Sequence, residues 1–348
     1  MHNEKNKIKK KPSMLKRISK YILIILGSII LLILSFGIWM YFSLIAGPGP
    51  MDISDYHPFK SAEAKEKYLA YEEEMARSWP FNSEEKLVST TFGETFMRIS
   101  GPIDAPPLIL LPGGGSNSYI WNANIEELSS QYRTYALDNI YDWGRSVYTK
   151  EILNGQDYAN WLNELTDSLQ VDKVNMIGYS YGGWVVSQYA LNYPEKLYHV
   201  ILIAPAWTVL DVTKEWWTRT IKSLIPIRYY KKKIMYWVWA DLANMNDEGE
   251  ELVEDRIDYF TIAMESFKLK QGVQPTVLSD NELSGLNMPV LYLVGENETC
   301  YDGKEAVKRL NKMAPKIETK LINNTGHDLM FTHTETVNNL ILEFLKND

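Results

Sequence analysis

Apolar positions in this chain of 348 residues follow two regimes. Residues 21–45, YILIILGSIILLILSFGIWMYFSLI, carry no charge over 25 positions. As a helix that run would be about 37 Å long against roughly 30 Å of bilayer hydrocarbon, which predicts a transmembrane helix with modest tilt. Beyond it the apolar residues come in short bursts. After a turn-rich break at 46–50 (AGPGP), residues 61–79 read as a charge-laced amphipathic helix that stops at Pro80. Candidate strands then fall at 86–92, 95–100, 108–111, 134–137, 174–177, 200–203, 290–294 and 318–322. Several are wholly apolar, as strands buried on both faces of a parallel sheet are. Helical patterns separate them at 121–131, 158–169, 182–191, 303–313 and 334–346. Such alternation predicts an α/β fold with a mostly parallel, eight-stranded sheet flanked by helices.

One stretch breaks the alternation. Between 207 and 286 no strand pattern appears, and five of the eleven tryptophans lie there (Trp207, Trp216, Trp217, Trp237, Trp239). Eighty residues are too many for a loop, so a helical subdomain over the sheet is expected. The resulting division is a basic stub (1–20), the span (21–45), a linker with its helix (46–85), an α/β core (86–206 and 287–348) and a helical lid (207–286).

Charge sharpens the N-terminal reading. The formal net charge is -8, which argues against nucleic acid as a partner. It conceals a lysine-rich stub: within residues 1–20 Glu4 is the single acid among Lys5, Lys7, Lys9, Lys10, Lys11, Lys16, Arg17 and Lys20. Basic residues on that side place the N-terminus in the cytoplasm and the remaining domain outside the membrane. A cleaved signal peptide would have a shorter apolar run, and a cut after Ala46 would put Leu44 where a small residue is needed. With Cys300 as its sole cysteine the chain can form no internal disulfide, no Cys-rich zinc site and no CxxC redox pair.

The chemistry concentrates in the alternating region. In VNMIGYSYGG (174–183) an apolar strand runs into G-x-S-x-G and then into a helix. That turn strains the serine backbone and presents Ser180 at the carboxyl edge of a sheet, with small residues on either side because strand and helix approach closely. A serine hydroxyl is a weak nucleophile, so a base and an orienting acid are required. Of His2, His57, His199, His327 and His333, His327 follows the last strand, where the crevice of an open α/β sheet lies. His333 sits beside the last helix and reads as a surface or capping residue. For the acid, the strand at 290–294 ends in GENETCYD; Glu298 is preferred, with Asp302, Glu296 and the more distant Asp211 open as alternatives. Each could equally be a solvated loop carboxylate. The glycines of LPGGGSNS (111–118) can turn backbone N–H groups toward a developing oxyanion, Gly114 first, joined by the N–H of Tyr181 after the nucleophile. Neither a dinucleotide fingerprint nor a GK[ST] ending is present.

The order serine, acid, histidine, together with the glycine-rich loop and the helical insert before the acid strand, resembles the α/β-hydrolase family over about three quarters of the chain. The segment DNIYDWGRS (138–146) is similar to that family's D-x-x-G-x-G-x-S loop, one residue longer and with Asp142 at the first glycine's place. Pro112 stands where the family usually has histidine, and Glu298 where aspartate is commoner. The resemblance is strongest to the bacterial carboxylesterase-like branch. It implies a Ser180–His327–Glu298 triad, an acyl-enzyme, an oxyanion hole of Gly114 and Tyr181, no cofactor and no metal. Serine as nucleophile argues against the dehalogenase and epoxide hydrolase branches, which need a carboxylate there. The implied substrate is a small-molecule ester, with activity falling as His327 protonates near about 6.5. A ligand sensor without turnover, and peptidase, amidase, acyltransferase or carbon–carbon hydrolase chemistry, stay open. Two further features are double-edged. The aromatic insert provides walls for an apolar substrate group or merely its own packing. The basic run at 228–233 touches anionic lipid or is a solvated helix face balanced by the acids at 247–258.

Overall fold

Where apolar runs are short and β-branched the chain forms strands. The computed structural model describes residues 14–44, 53–81, 83–268, 270 and 272–346. It divides into two units, residues 1–51 with 269–271 and the remainder. In the first, helix α1 (Met14–Leu44) covers most of the uncharged run. Among the described residues no helix meets the length and apolarity needed to cross a membrane. Several α1 side chains lie outside the described set, as do residues 1–13 and 45–52, and the span expected at 21–45 falls partly among them.

The second unit opens with α2 (Ala62–Ala76), capped by the Ser61 side chain, which accepts the Ala64 N–H at 3.2 Å. Among the described residues nine strands follow: β1 (Glu84–Thr90), β2 (Gly93–Ser100), β3 (Pro107–Leu111), β4 (Arg133–Leu137), β5 (Val147–Tyr148), β6 (Val174–Tyr179), β7 (Leu197–Ile203), β8 (Val290–Gly295) and β9 (Glu318–Ile322). They form one sheet in the order β1-β2-β4-β3-β6-β7-β8-β9, with β5 paired to β2. Pairing is antiparallel from β1 through β4 and parallel from there onward. The wholly buried β6 and β8 confirm the rule that central parallel strands read as continuous apolar runs. The expected eight-stranded sheet thus gains a ninth member. β5 has two residues, too few for any alternation to show.

The remaining helices are α3 (Ile125–Ser129), α4 (Gly155–Ser168), α5 (Tyr181–Asn192), α6 (Lys214–Ser223), α7 (Arg228–Val238), α8 (Ala240–Ala243), α9 (Asp247–Ser266), α10 (Asp280–Ser284), α11 (Gly303–Met313), α12 (Leu329–Thr332) and α13 (Thr334–Phe344). The helix expected at 121–131 is instead a 3₁₀ turn (Ser118–Trp121) followed by the short α3. Asn124 interrupts it: its amide donates to Asn338 Oδ1 at 2.8 Å and to the Met330 carbonyl, tying the loop to α12 and α13. Between β7 and β8 the described residues contain helices α6–α10 and no strand. Inside it Arg228 pairs with Asp258 and, at 2.7 Å, with Glu254, which also takes Lys232 at 2.5 Å. Two cations of the basic run are therefore neutralised by acids of α9.

Candidate active site

The turn from β6 into α5 is built by exclusion of side chains. A Cβ on Gly178 would lie 2.4 Å from the Gly182 carbonyl oxygen, and one on Gly182 would lie 2.4 Å from that of Pro112. Glycine is the residue that fits at both. Between them Ser180 has φ 51° and ψ -117°, a left-handed backbone that costs a non-glycine residue about 1–3 kcal/mol. Its backbone is over-determined: the N–H donates to the Ile203 carbonyl at 2.9 Å, and its own carbonyl accepts from Gly183 and Ala206 at 3.0 and 3.2 Å. The hydroxyl makes no capping bond to α5 and is left to face the neighbouring loops.

Two of those loops meet it. His327, in the loop after β9, has Nε2 3.0 Å from Ser180 Oγ and Nδ1 2.9 Å from Glu298 Oε2. With Nδ1–H donated to the carboxylate, Nε2 is left to accept the serine proton. Both side chains are enclosed, His327 at 5% exposure and Glu298 at 0%. The histidine loop is itself clamped. Tyr179 donates its hydroxyl to the His327 carbonyl at 3.0 Å, and Asp328 accepts the Leu242 N–H at 2.7 Å and the Gly326 N–H at 3.2 Å. Burial works against the imidazolium, but the charges facing it, at Cys300 and Glu298, outweigh that and hold the His327 pKa well above its ordinary range. Burial pushes the Cys300 thiol up in turn.

The alternative acids are occupied elsewhere. Glu296 binds Lys304 at 2.9 Å on the surface, Asp302 caps α11 by accepting the Glu305 N–H, and Asp211 accepts the Val212 N–H. Among the histidines His333 lies beside Thr332, His199 beside Asn175 and His57 beside the Tyr148 carbonyl. Glu298, Cys300 and His327 offer ligand atoms within 4.8 Å of one another, the one group among the described residues that could hold a metal. The Glu298 and His327 atoms in that group are already engaged with each other and with Ser180.

The glycine loop borders the same point. A Cβ on Gly113 would lie 3.3 Å from Ser180 Cβ, and one on Gly114 3.4 Å from Tyr181 Cβ. Gly115, at φ 66°, donates its N–H to Asp142 Oδ2 at 2.9 Å, while Oδ1 of the same carboxylate accepts the Trp143 N–H at 2.8 Å. Asp142 at the family glycine's place thus ties the glycine loop to the 138–146 loop. Among the described residues the N–H groups of Gly114 and Tyr181 donate to no protein atom, so both are available to a ligand oxygen.

These groups open on a cavity of ≈340 Å³. Gly113, Gly114, Gly115, Ser116, Tyr179, Ser180, Tyr181 and His327 line it from the sheet and its loops, and Trp207, Trp216, Trp239, Ile234, Met235, Val238, Arg256 and Phe260 line it from the segment between β7 and β8. Three of the five insert tryptophans therefore face it; Trp217 and Trp237 do not. A larger hollow of ≈600 Å³, lined by Lys173, Tyr198, His199 and Pro289 among others, lies at the amino ends of β6, β7 and β8 and contains none of this chemistry. Sequence reasoning missed Arg256, Ser116 and the role of Asp142. Arg256 sits in an acid-rich helix that reads as a solvated face, and its burial is visible only once the insert is folded.

Residues 106–226 match the sequence model of the alpha/beta hydrolase fold family. A carboxylesterase of Bacillus subtilis, YbfK, is 32% identical over 294 residues, spanning 84% of this chain and 98% of that protein. A second Bacillus subtilis carboxylesterase, nap, is 31% identical over 80% of this chain and 91% of its own length. The crystal structure of naproxen esterase from the same organism superposes with a TM-score of 0.75 at 30% identity, covering 82% of this chain and 100% of that one. A meta-cleavage product hydrolase, at 20% identity and a TM-score of 0.60, shares the fold. The chain belongs to the α/β-hydrolase family, and with carboxylesterases among its relatives it is an esterase-like enzyme.

Proposed function

We propose that the protein hydrolyses carboxylic esters through an acyl-enzyme on Ser180. One observation carries this reading: the continuous hydrogen-bonded chain from Ser180 Oγ through His327 to Glu298, at 3.0 and 2.9 Å, opening on a cavity of ≈340 Å³. As Ser180 Oγ attacks the ester carbonyl, His327 Nε2 takes its proton, and the Gly114 and Tyr181 N–H groups receive the oxyanion. His327 then returns the proton to the departing alkoxide, and the alcohol leaves. Water repeats the cycle on the acyl-serine: His327 removes its proton, the carboxylic acid departs, and Ser180 recovers its hydrogen. Glu298 holds the imidazole tautomer and balances the imidazolium. Helices α6–α9 serve as a lid whose aromatic walls favour an apolar substrate group.

Residues 21–45 anchor this domain as a single membrane span, with the N-terminus cytoplasmic and the domain extracytoplasmic. The uncharged length and the lysine-rich stub support that orientation. The test uses the full-length chain in detergent. A fluorophosphonate probe should label the wild type but not Ser180→Ala, and a chain-length series of aryl esters should show an optimum that Ser180→Ala abolishes. Hydrolysis surviving in Ser180→Ala overturns the assignment, and labelling without turnover favours the sensor reading. Protease applied outside intact cells should cut the domain and spare the stub; the reverse pattern reverses the topology.

A further inference from the structure

The cavity that Ser180 lines also carries a cation that no carboxylate among the described residues neutralises. Arg256, midway along α9, is 9% exposed and lines the cavity. Each of the other seven arginines whose side chains are described has a carboxylate at ion-pair distance, the half-exposed and exposed ones included. Among the described residues Arg256 has none. Its one side-chain hydrogen bond runs from Nη2 to Ser116 Oγ at 2.6 Å. The guanidinium lies between two rings, Cζ 5.4 Å from the centroid of Trp239 and 5.2 Å from that of Tyr259. A guanidinium has five N–H donors, so one bond and two ring faces leave most of its edge unmatched. Buried charges in folded proteins are paired, because taking an ion out of water is costly unless a counter-charge meets it. The buried carboxylates Glu72 and Asp138 face other groups: Glu72 accepts from Asn117 on one oxygen and has the other 3.7 Å from Arg145, and Asp138 accepts from the Ser118 and Arg145 N–H groups.

We infer that Arg256 receives a carboxylate of the substrate, so that the enzyme acts on esters that carry a second, free carboxylate. The inference rests on the ester hydrolase reading and narrows its substrate class. A planar guanidinium matches a carboxylate with two parallel N–H···O bonds. Among the described residues no other Lys or Arg lines the cavity, so the site is balanced for one negative charge rather than the two of a phosphate monoester. Trp207, Trp216, Met235 and Phe260 line the same cavity with apolar surface, which suits the carbon chain that joins the two carboxyl functions. Ser116 ties this cation to the glycine loop, two residues beyond Gly114. Occupation of the anion site thereby bears on the segment that faces the reacting carbonyl.

The experiment compares matched esters on the full-length chain in detergent. Monomethyl esters of C4 to C8 dicarboxylic acids are set against their dimethyl esters, and acetyl esters of ω-hydroxy acids against those of the corresponding alcohols. The two pairs tell whether the free carboxylate belongs on the acyl or the alcohol side. The readout is the ratio of kcat/KM, charged over neutral. Wild type should favour the charged member of one pair by about 10- to 100-fold, the worth of a hydrogen bond to a charged group. Arg256→Met should bring that ratio to about one or below, and Arg256→Lys should retain part of it. A wild-type ratio at or below one, or a ratio unchanged in Arg256→Met, overturns the inference while leaving the ester hydrolase standing. A wild-type preference for phosphate-bearing esters over both carboxylate series also overturns it. Should Arg256→Met fail to fold, or should no ester of any kind turn over, wild-type Ser180 labelling decides. Dicarboxylates slowing fluorophosphonate labelling where their diamides do not supports the anion site, and equal protection overturns it. Absence of turnover with every ester strikes the hydrolase reading separately.

Discussion

The two walls of the cavity are positioned by different physics. On the sheet side, Ser180, His327 and Glu298 stand at the carboxyl ends of β6, β9 and β8, where backbone hydrogen bonds decide where each group points. Ser180 is held against its own Ramachandran preference by bonds to Ile203, Gly183 and Ala206. On the insert side, Trp216 and Arg256 are placed by the packing of rings and helices, with Trp216 in edge contact with Trp207 at 4.7 Å. A strained backbone fixes atoms to within tenths of an ångström, which bond-making chemistry demands. A packed helical wall can change its lining without disturbing that geometry, which is how one fold serves many substrates. The proposed division of labour is that the sheet side sets the rate constant and the insert side sets the substrate.

The largest expected effect tests the sheet side. Glu298→Gln keeps the shape of the carboxylate and removes its charge, so the imidazole loses both its tautomer and its counter-ion. Ester turnover (kcat) should fall about 10³- to 10⁴-fold with KM little changed, measured by steady-state kinetics on protein whose far-UV circular dichroism matches wild type. A fall of less than tenfold would remove Glu298 from the proposed machinery.

Next in size is a pH effect with a defined sign. Burial disfavours the imidazolium, but the Cys300 and Glu298 groups facing His327 outweigh it and raise its pKa above the ordinary range, so the imidazole is still protonated, and unable to act as base, at pH values where a free histidine would have lost its proton. The acid limb of kcat/KM should therefore lie above about pH 6.5, correcting the expectation drawn from the reference value. Stability runs the other way. The pair's contribution is fully present below the unfolded histidine pKa and is lost as pH rises through the raised folded one. A pH–rate profile with its acid limb at or below 6.5 would refute the electrostatic account.

Legibility in the sequence follows the same division. Groups placed by backbone were readable because backbone demands leave local marks: glycines flanking Ser180, an apolar strand before it, and loops after β8 and β9 in the chain order of acid and base. Elements without such marks were not readable. β5 is too short to alternate, and Asn124 breaks the 121–131 helix through bonds to residues two hundred positions away. Arg256 lies in EDRID, where its neighbours Glu254 and Asp258 are surface acids paired with α7. One helical turn separates a neutralised surface from an unneutralised buried cation, and only the folded insert says which face is which.

On the insert side the matching change is Trp216→Ala. Removing an indole from the cavity wall should raise KM for long-chain aryl esters about tenfold while changing KM for acetyl esters and kcat for either by less than threefold. Equal losses for short and long chains would show that Trp216 supports the reacting geometry rather than the substrate chain, and would erase the contrast between the two walls.

The smallest expected effect sits where backbone control of the glycine loop passes through a side chain. Asp142 accepts the N–H of Gly115 on one oxygen and that of Trp143 on the other. Asparagine retains one acceptor and turns an N–H₂ toward the second donor, so Asp142→Asn should release one of the two contacts and loosen the segment that carries Gly114. The loss of one such bond corresponds to about fivefold in rate. It should appear in kcat with KM unchanged, because an oxyanion donor acts on the transition state more than on the bound ester. Asp142→Gly, which restores the family residue but removes both acceptors, should cost at least as much. If Asp142→Gly were instead as active as wild type, the glycine loop would hold its shape without the carboxylate, and the sheet side would owe its geometry to backbone alone.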